Sequence, residues 1–344
     1  MPVFVEGQVP QVSGVPPGAA RPFWSVMIPV YRRTRYLGQA LESVLAQDPG
    51  AEQMQIEVVD DGSPSGEIES LVQALGKGRV AFFRQPRNLG LGGNWTTCIQ
   101  RAQGQWVHIL HDDDLVLPGF YARLRGAVEQ APTVGAAVCR HVKVDEDGHW
   151  HWISPLERRT PGLLENWIER IGVSQRIQCP AIVVRRSVYE ALGGFHPALF
   201  YALDWEMWKR IAAQYPIWYE PRPLACFREH PLSHSLHLVE SGAAMIADAR
   251  KAIDISRAYL PKSVSEDVSR RALEFLAVDA VTKAREAVVR GEWRRAGGRI
   301  REGLKCSMSG PVVRHLVPFL GWAVAHGLKR ILVRVAGERE ESHA

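Results

Sequence analysis

Gln55–Ser63 reads QIEVVDDGS: a short run with strand character passes into two carboxylates and then a Gly-Ser turn. Similar stretches lie on either side. Upstream, Phe23–Val30 (FWSVMIPV) is an apolar run ending near a proline, the pattern of a strand buried on both faces. Between the two, Tyr36–Gln47 puts Leu37, Leu41, Val44 and Leu45 on one helical face. Downstream, a helix is expected over Glu67–Leu75, a strand over Arg79–Phe83, a helix over Trp95–Arg101 and a strand over Trp106–Leu110. That last strand runs into His111-Asp112-Asp113-Asp114. Strand and helix thus alternate through the first 130 residues, which predicts an α/β fold with an open, mostly parallel sheet flanked by helices. Ligands of such sheets bind beyond the carboxyl ends of the strands, where both acidic clusters fall.

The chain has 344 residues, 46% hydrophobic and 23% charged, a composition that excludes a disordered or collagen-like protein. Its five cysteines are scattered and never spaced C-x-x-C, which argues against a disulfide framework and a structural zinc site. The N-terminus lacks the basic-then-apolar pattern of a secretory signal. The apolar stretch Leu316–Ala325, interrupted by Pro318 and Gly321, is shorter than the roughly 20 residues a membrane span needs. A cytoplasmic protein is the expectation. Residues 1–240 carry 23 Lys+Arg against 25 Asp+Glu, and residues 241–344 carry 19 against 12. The basic excess belongs to the C-terminal part, so generic nucleic-acid binding by the main domain is not expected. The expected divisions are a flexible leader over 1–22, a main domain over 23–240 and a helical region over 241–344. Within that region, helices are expected over Ala244–Tyr259 and Ser263–Arg290.

Several clusters carry chemistry. Asp60-Asp61-Gly62-Ser63 can accept hydrogen bonds from a base or ribose, and reads equally as an ordinary turn. Asp112, Asp113 and Asp114 repel one another unless a cation offsets them, which suits a diphosphate–metal site; a solvated acidic loop is the plainer reading. Asn88-Leu89-Gly90-Leu91-Gly92-Gly93-Asn94 resembles a phosphate cradle, with Asn94 placed to cap a helix, but no Gly-Lys-Ser/Thr follows. Asp204 and Glu206 flank Trp205 at a helix start, where acids also simply match the helix dipole. Arg228-Glu229-His230 could meet phosphate or metal.

In this order the motifs resemble the family 2 glycosyltransferases. The resemblance runs from Ser25-Val26-Met27-Ile28-Pro29-Val30-Tyr31 through Asp60-Asp61, Asn88-Leu89-Gly90 with Asn94-Trp95, and Asp112–Asp114 with Pro118. It continues through Gly193-Gly194-Phe195 and Asp204-Trp205 to Arg228-Glu229-His230, covering about residues 23–236. It implies the GT-A fold, a Rossmann-like sheet with a helical C-terminal appendix here. It also implies an inverting transfer from a nucleotide-diphosphate sugar to a saccharide or lipid-linked acceptor, in cell-surface polysaccharide or lipopolysaccharide synthesis. By the same resemblance Pro29, Tyr31, Asp60 and Asp61 line the nucleoside pocket. Asn88, Gly90, Asn94, Asp112, Asp113 and Arg228 also face the donor. Asp112, Asp113, Asp114 and His230 hold Mg²⁺ or Mn²⁺, and Asp204 is the catalytic base. Counting back from Pro118 instead places the metal motif at His111 and Asp113. A Q-x-x-R-W motif, the mark of processive synthases, is missing after Asp204. Nucleotidyl transfer and a non-catalytic sugar- or membrane-binding module are the alternatives; the first lacks a basic glycine loop early in the chain, and the second does not explain the intact acids.

Ala284–Leu304 has the look of one tetratricopeptide-like helical hairpin, without further repeats. Pro318–Val335 predicts a helix with Leu320, Val324, Leu328, Ile331 and Val335 on one side and His326, Arg330 and Arg334 on another. Such a helix packs its stripe on the body or lies on an anionic membrane at the inner face of the cell.

Overall fold

The protein is seen as a computed structural model, described for residues 9–19, 21–230 and 242–341, with side chains as far as 327. In chain order the elements begin β1 (Trp24–Val30), α1 (Leu37–Leu45), β2 (Met54–Asp60), α2 (Glu67–Gly76), β3 (Ala81–Arg84), α3 (Gly90–Arg101), β4 (Trp106–Ile109), β5 (Leu115–Val116) and α4 (Phe120–Gln130). Then follow β6 (Ala136–Val144), β7 (Trp150–Ile153), β8 (Gly162–Leu163), α5 (Trp167–Ile171), a 3₁₀ turn at Cys179–Ala181, β9 (Ile182–Arg185), α6 (Arg186–Leu192), α7 (Leu203–Ala212) and β10 (Ile217–Arg228). Four helices close the chain: α8 (Gly242–Ser256), α9 (Lys262–Val289), α10 (Trp293–Cys306) and α11 (Gly310–Glu341).

The strands form one sheet in the order β3-β2-β1-β4-β9-β6-β10-β5, with β7 on β6 and β8 on β10. β3, β2, β1 and β4 are parallel, as are β6 and β10. β9 lies antiparallel between β4 and β6. Every residue of β1 is buried, because one face packs Met27 beside Val59, Trp95 and Val107 and the other packs Val26 and Ile28 beside Leu37 and Leu41. Burial on both faces explains why the strand reads as an unbroken apolar run. The chain leaves β1 for β2 on one side and returns to β4 on the other. The crevice at this reversal is where an α/β sheet binds its ligand, and Tyr31, Asp61 and Asp112 follow the three strand ends.

The structure revises several expectations. Gly90–Gly93 is the first turn of α3, so the glycines are helix rather than an open cradle, and Asn94 lies inside the helix instead of capping it. Part of the stretch read as a leader is tied to the body. Val12 is buried in the main core, Pro10 O accepts the Gly194 N–H at 2.8 Å, and Ser13 O accepts from the Arg186 guanidinium at 2.9 Å. The division at 240 lies outside the described residues, but α8 just beyond it contributes Ala249, Ala252 and Ile253 to the same core as α7. In α11 the buried edge is Leu316, Phe319 and Ala323, while Leu320 and Val324 are exposed. The side chains of Leu328, Ile331 and Val335, the rest of the expected stripe, lie outside those described.

Candidate active site

At the end of β2 the two aspartates do different work. Asp60 is fully buried and its oxygens are taken: Oδ1 accepts from Ser63 N at 3.1 Å and Ser63 Oγ at 2.5 Å, and Oδ2 accepts from Arg84 Nε at 2.8 Å. It locks the turn rather than facing the crevice. Ser63 Oγ in turn accepts the Arg32 N–H at 2.8 Å, which joins the ends of β1 and β2. Gly62, at φ +75°, leaves no room for a side chain; a Cβ there would stand 2.7 Å from the Arg87 carbonyl carbon. That contact brings the 87–89 loop onto the turn, and Asp61 Oδ1 accepts the Leu89 N–H at 2.8 Å. Burial pushes the Asp61 carboxyl up to about 6, against the opposing pull of the Leu89 and Gly90 N–H groups. Pro29 is buried in β1 opposite Val59, and half-buried Tyr31 carries the Arg32 guanidinium over its ring. Asn88 is exposed and accepts the Gly90 N–H. Asn94 donates to Val59 O at 3.0 Å, and its Oδ1 is buried without a partner.

Beyond β4 the three acids diverge. Arg33 holds Asp112 with two bonds, Nη2 to Oδ1 at 2.6 Å and Nε to Oδ2 at 3.2 Å, and reaches Asp113 Oδ2 with Nη1 at 3.1 Å. His230 Nε2 lies 3.1 Å from the same Asp113 oxygen. Asp114 Oδ1 accepts the Arg228 N–H at 2.9 Å; its Oδ2 is buried, has no hydrogen-bond partner and lies 3.4 Å from His111 Nδ1. His111, Asp113 and Asp114 can each offer one ligand atom, all within 4.8 Å of one another. Asp112 and His230, both expected among the metal ligands, fall outside that group: Asp112 is clamped by Arg33 and His230 supports Asp113. Burial together with the like charge of Asp113 raises the Asp112 carboxyl, although Arg33 opposes the shift. The Asp114 oxygen makes no hydrogen bond, and the two carboxylates suit a hard divalent cation such as Mg²⁺ or Mn²⁺, with the His111 imidazole as the softer donor of the set.

Arg228 is also taken up by the protein. Its guanidinium donates to the carbonyls of Asp113, Asp145 and Glu146 and to Gln39 Oε1, all at 2.8–3.1 Å, and lies over Tyr36. It braces the acidic turn from behind. Asp204, at the start of α7, accepts from Gln175 Nε2 at 2.7 Å and from Trp205 N at 2.6 Å. Burial raises its carboxyl to about 6; the Trp205 N–H and the His111 charge pull the other way. His111 stacks on Trp95, and its charge acts on Asp204. Glu206, two residues on, is paired with Arg210 at 2.8 Å and points into the protein.

The structure thus brings Asp61, Asp112, Asp113, Asp114 and His230 to neighbouring strand ends, and Asp204 lies close enough for the His111 charge to act on it. Asp60, Asn94 and Arg228 support these strand ends. Arg33 and Gln175 were missed, whereas His111 was the alternative metal-motif position and Trp95 was part of a motif without a role. Arg33 carried a signal, as a cation two residues after Tyr31 and one strand away from the acids. Gln175 carried none.

The sequence profile of glycosyl transferase family 2 matches residues 25–193, and the chain belongs to that family. Two relatives are a Mycobacterium tuberculosis protein, MT1568, 28% identical over 72% of this chain and 77% of its own, and an N-acetylglucosaminyltransferase of Mesorhizobium japonicum, 31% identical over 54% and 44%. The fold is that of the GT-A glycosyltransferases. Staphylococcus aureus TarS 1-349, solved with UDP-GlcNAc, superposes with a TM-score of 0.60 at 16% identity, over 88% of this chain and 87% of its own. The mannosyltransferase PcManGT from Pyrobaculum calidifontis, solved with GDP-Man and Mn²⁺, gives 0.55 at 17% identity, over 92% and 87%.

Proposed function

We propose that the protein is an inverting, metal-dependent glycosyltransferase. It takes a sugar from a nucleotide-diphosphate donor to a hydroxyl of a saccharide or lipid-linked acceptor in cell-surface polysaccharide or lipopolysaccharide synthesis. The observation that supports this reading is that Asp61 and the His111–Asp114 turn follow neighbouring strand ends, with the His111 charge acting on Asp204. Asp61 and the end of β1 hold the nucleoside. His111, Asp113 and Asp114 hold the divalent cation, which when bound offsets the charge of the donor diphosphate. Arg33 steadies Asp112 and Asp113. Asp204 Oδ removes the proton of the acceptor hydroxyl as that oxygen attacks the anomeric carbon. Its pKa near 6 keeps it ionised at neutral pH, yet basic enough to act. In that single displacement the bond from the anomeric carbon to the diphosphate breaks as the acceptor oxygen bonds from the opposite side, so the nucleoside diphosphate leaves and the anomeric centre inverts. UDP-GlcNAc and GDP-Man head the donor panel, because fold neighbours were solved with them.

The test is nucleoside diphosphate release from that panel with Mn²⁺ or Mg²⁺, and with EDTA. Metal-dependent release, with an inverted product by proton NMR, supports the reading. Pyrophosphate release would assign nucleotidyl transfer instead, and binding without turnover a sugar-recognition module.

A further inference from the structure

Helix α11 has two apolar edges. Val312, Leu316, Phe319 and Ala323 are buried against the neighbouring helices. Val313, Val317, Leu320 and Val324 repeat at i, i+4, i+7 and i+11 and are 39%, 61%, 49% and 65% exposed. Pro318, Gly321 and Ala325 share the exposed side. A helix of a soluble body ordinarily turns charge outward; this one turns out aliphatic carbon. From Gly310 to Val335 it contains no Asp or Glu, whereas Arg314, Lys329, Arg330 and Arg334 are basic. Among the described residues no helix is long and apolar enough to cross a membrane.

We propose that this edge of α11 lies in the interface of an anionic lipid bilayer. The aliphatic stripe enters the boundary between headgroups and acyl chains, and the exposed Arg314 of the same helix meets the lipid phosphates. Charge complementarity favours this occupant over a second copy of the chain. Two copies joined along the stripe from Val313 to Val324 would set Arg314 against Arg314 with no acid on that stretch; the acids of α11, Glu338, Glu340 and Glu341, lie at its far end. Such a contact holds the crevice near membrane-bound acceptors without fixing the protein in the bilayer.

The test uses the full chain and vesicle flotation. Phosphatidylcholine vesicles containing about 30 mol% phosphatidylglycerol should bind the protein at low salt. Pure phosphatidylcholine should bind it at least about tenfold less. About 0.5 M salt should release it from the anionic vesicles. The triple variant V317D/L320D/V324D changes only exposed side chains, so it should keep its melting temperature and donor turnover while losing at least about tenfold in vesicle affinity. Three results overturn the proposal: no binding to anionic vesicles at low salt, equal binding by the triple variant, or a wild-type dimer by light scattering that the triple variant converts to monomer. The last would assign the stripe to a second copy. None depends on which sugar is transferred.

Discussion

Asp204 carries the sharpest prediction at the scale of single residues. Asp204→Asn keeps the size of the side chain but removes the base. Turnover should fall about 10²–10⁴-fold with little change in donor KM. In the wild type, kcat/KM should fall tenfold per pH unit below about 6, where the carboxylate becomes protonated; a flat profile from pH 5 to 7 would remove Asp204 from the role. Stability should move the other way. A carboxyl whose folded pKa is raised burdens the folded state at pH above that value, and the burden fades as pH falls toward the unfolded value. The asparagine variant should therefore melt no lower than wild type at pH 8, and any advantage should shrink by pH 4. Gly62 gives a structural counterpart. Gly62→Ala places a Cβ against the Arg87 backbone at a positive φ, so it should lower stability by about 1–3 kcal/mol. It should also weaken donor binding, because Asp61 and Leu89 shift with the turn; unchanged melting and donor affinity would contradict this account.

Among the elements, α8 matters most for the site although it lies beyond the family match. Asp248 is buried, and its carboxylate accepts the N–H groups of Tyr201 and Ala202 at 2.9 Å each and of Phe200 at 3.3 Å. These residues lead directly into Asp204, so α8 sets the position of the proposed base. Asp248→Ala should lower kcat about 10–100-fold while sparing donor KM, as expected when only the transition-state geometry is disturbed. Asp248→Asn, which retains one acceptor oxygen, should recover part of the loss. Equal losses in kcat and donor affinity would mean general unfolding. Nothing in the local sequence of α8 marks Asp248, because its partners are main-chain groups 46 to 48 positions earlier. The strands and helices of the first 130 residues were legible for the opposite reason: their signals are local, in apolar runs and helical spacing. Asp61 and the three acids were legible because strand ends in such a sheet converge. Their division of labour was not, since it depends on Arg33 and Arg228, which are neighbours in space but 79 and 114 positions away in sequence. The glycines at 90–93 misled, because a glycine-rich run reads as loop, whereas contacts of Asn94 and Trp95 with the sheet hold it in a helix.

For the whole molecule, the contacts of α8 predict that the catalytic part does not end before it. Lys209, buried in α7, donates to Ala252 O at 3.0 Å and Ser256 Oγ at 3.2 Å. A chain ending at residue 241 would expose Lys209 together with the apolar neighbours of Ala249 and Ile253. It should be insoluble or melt well below the intact protein, whereas a cooperative transition at the wild-type temperature would show α8 to be dispensable. The antiparallel insertion of β9 bears on how the protein is made. β4 pairs with β1 on one side as soon as both exist, but its other side belongs to β9, at residues 182–185. At ribosomal speeds of about 5–20 residues per second, that edge of the nascent sheet waits roughly 4–15 s for its partner. During the wait its unpaired N–H and C=O groups are open to another chain. Early synthesis is thus the period in which this enzyme most needs a chaperone.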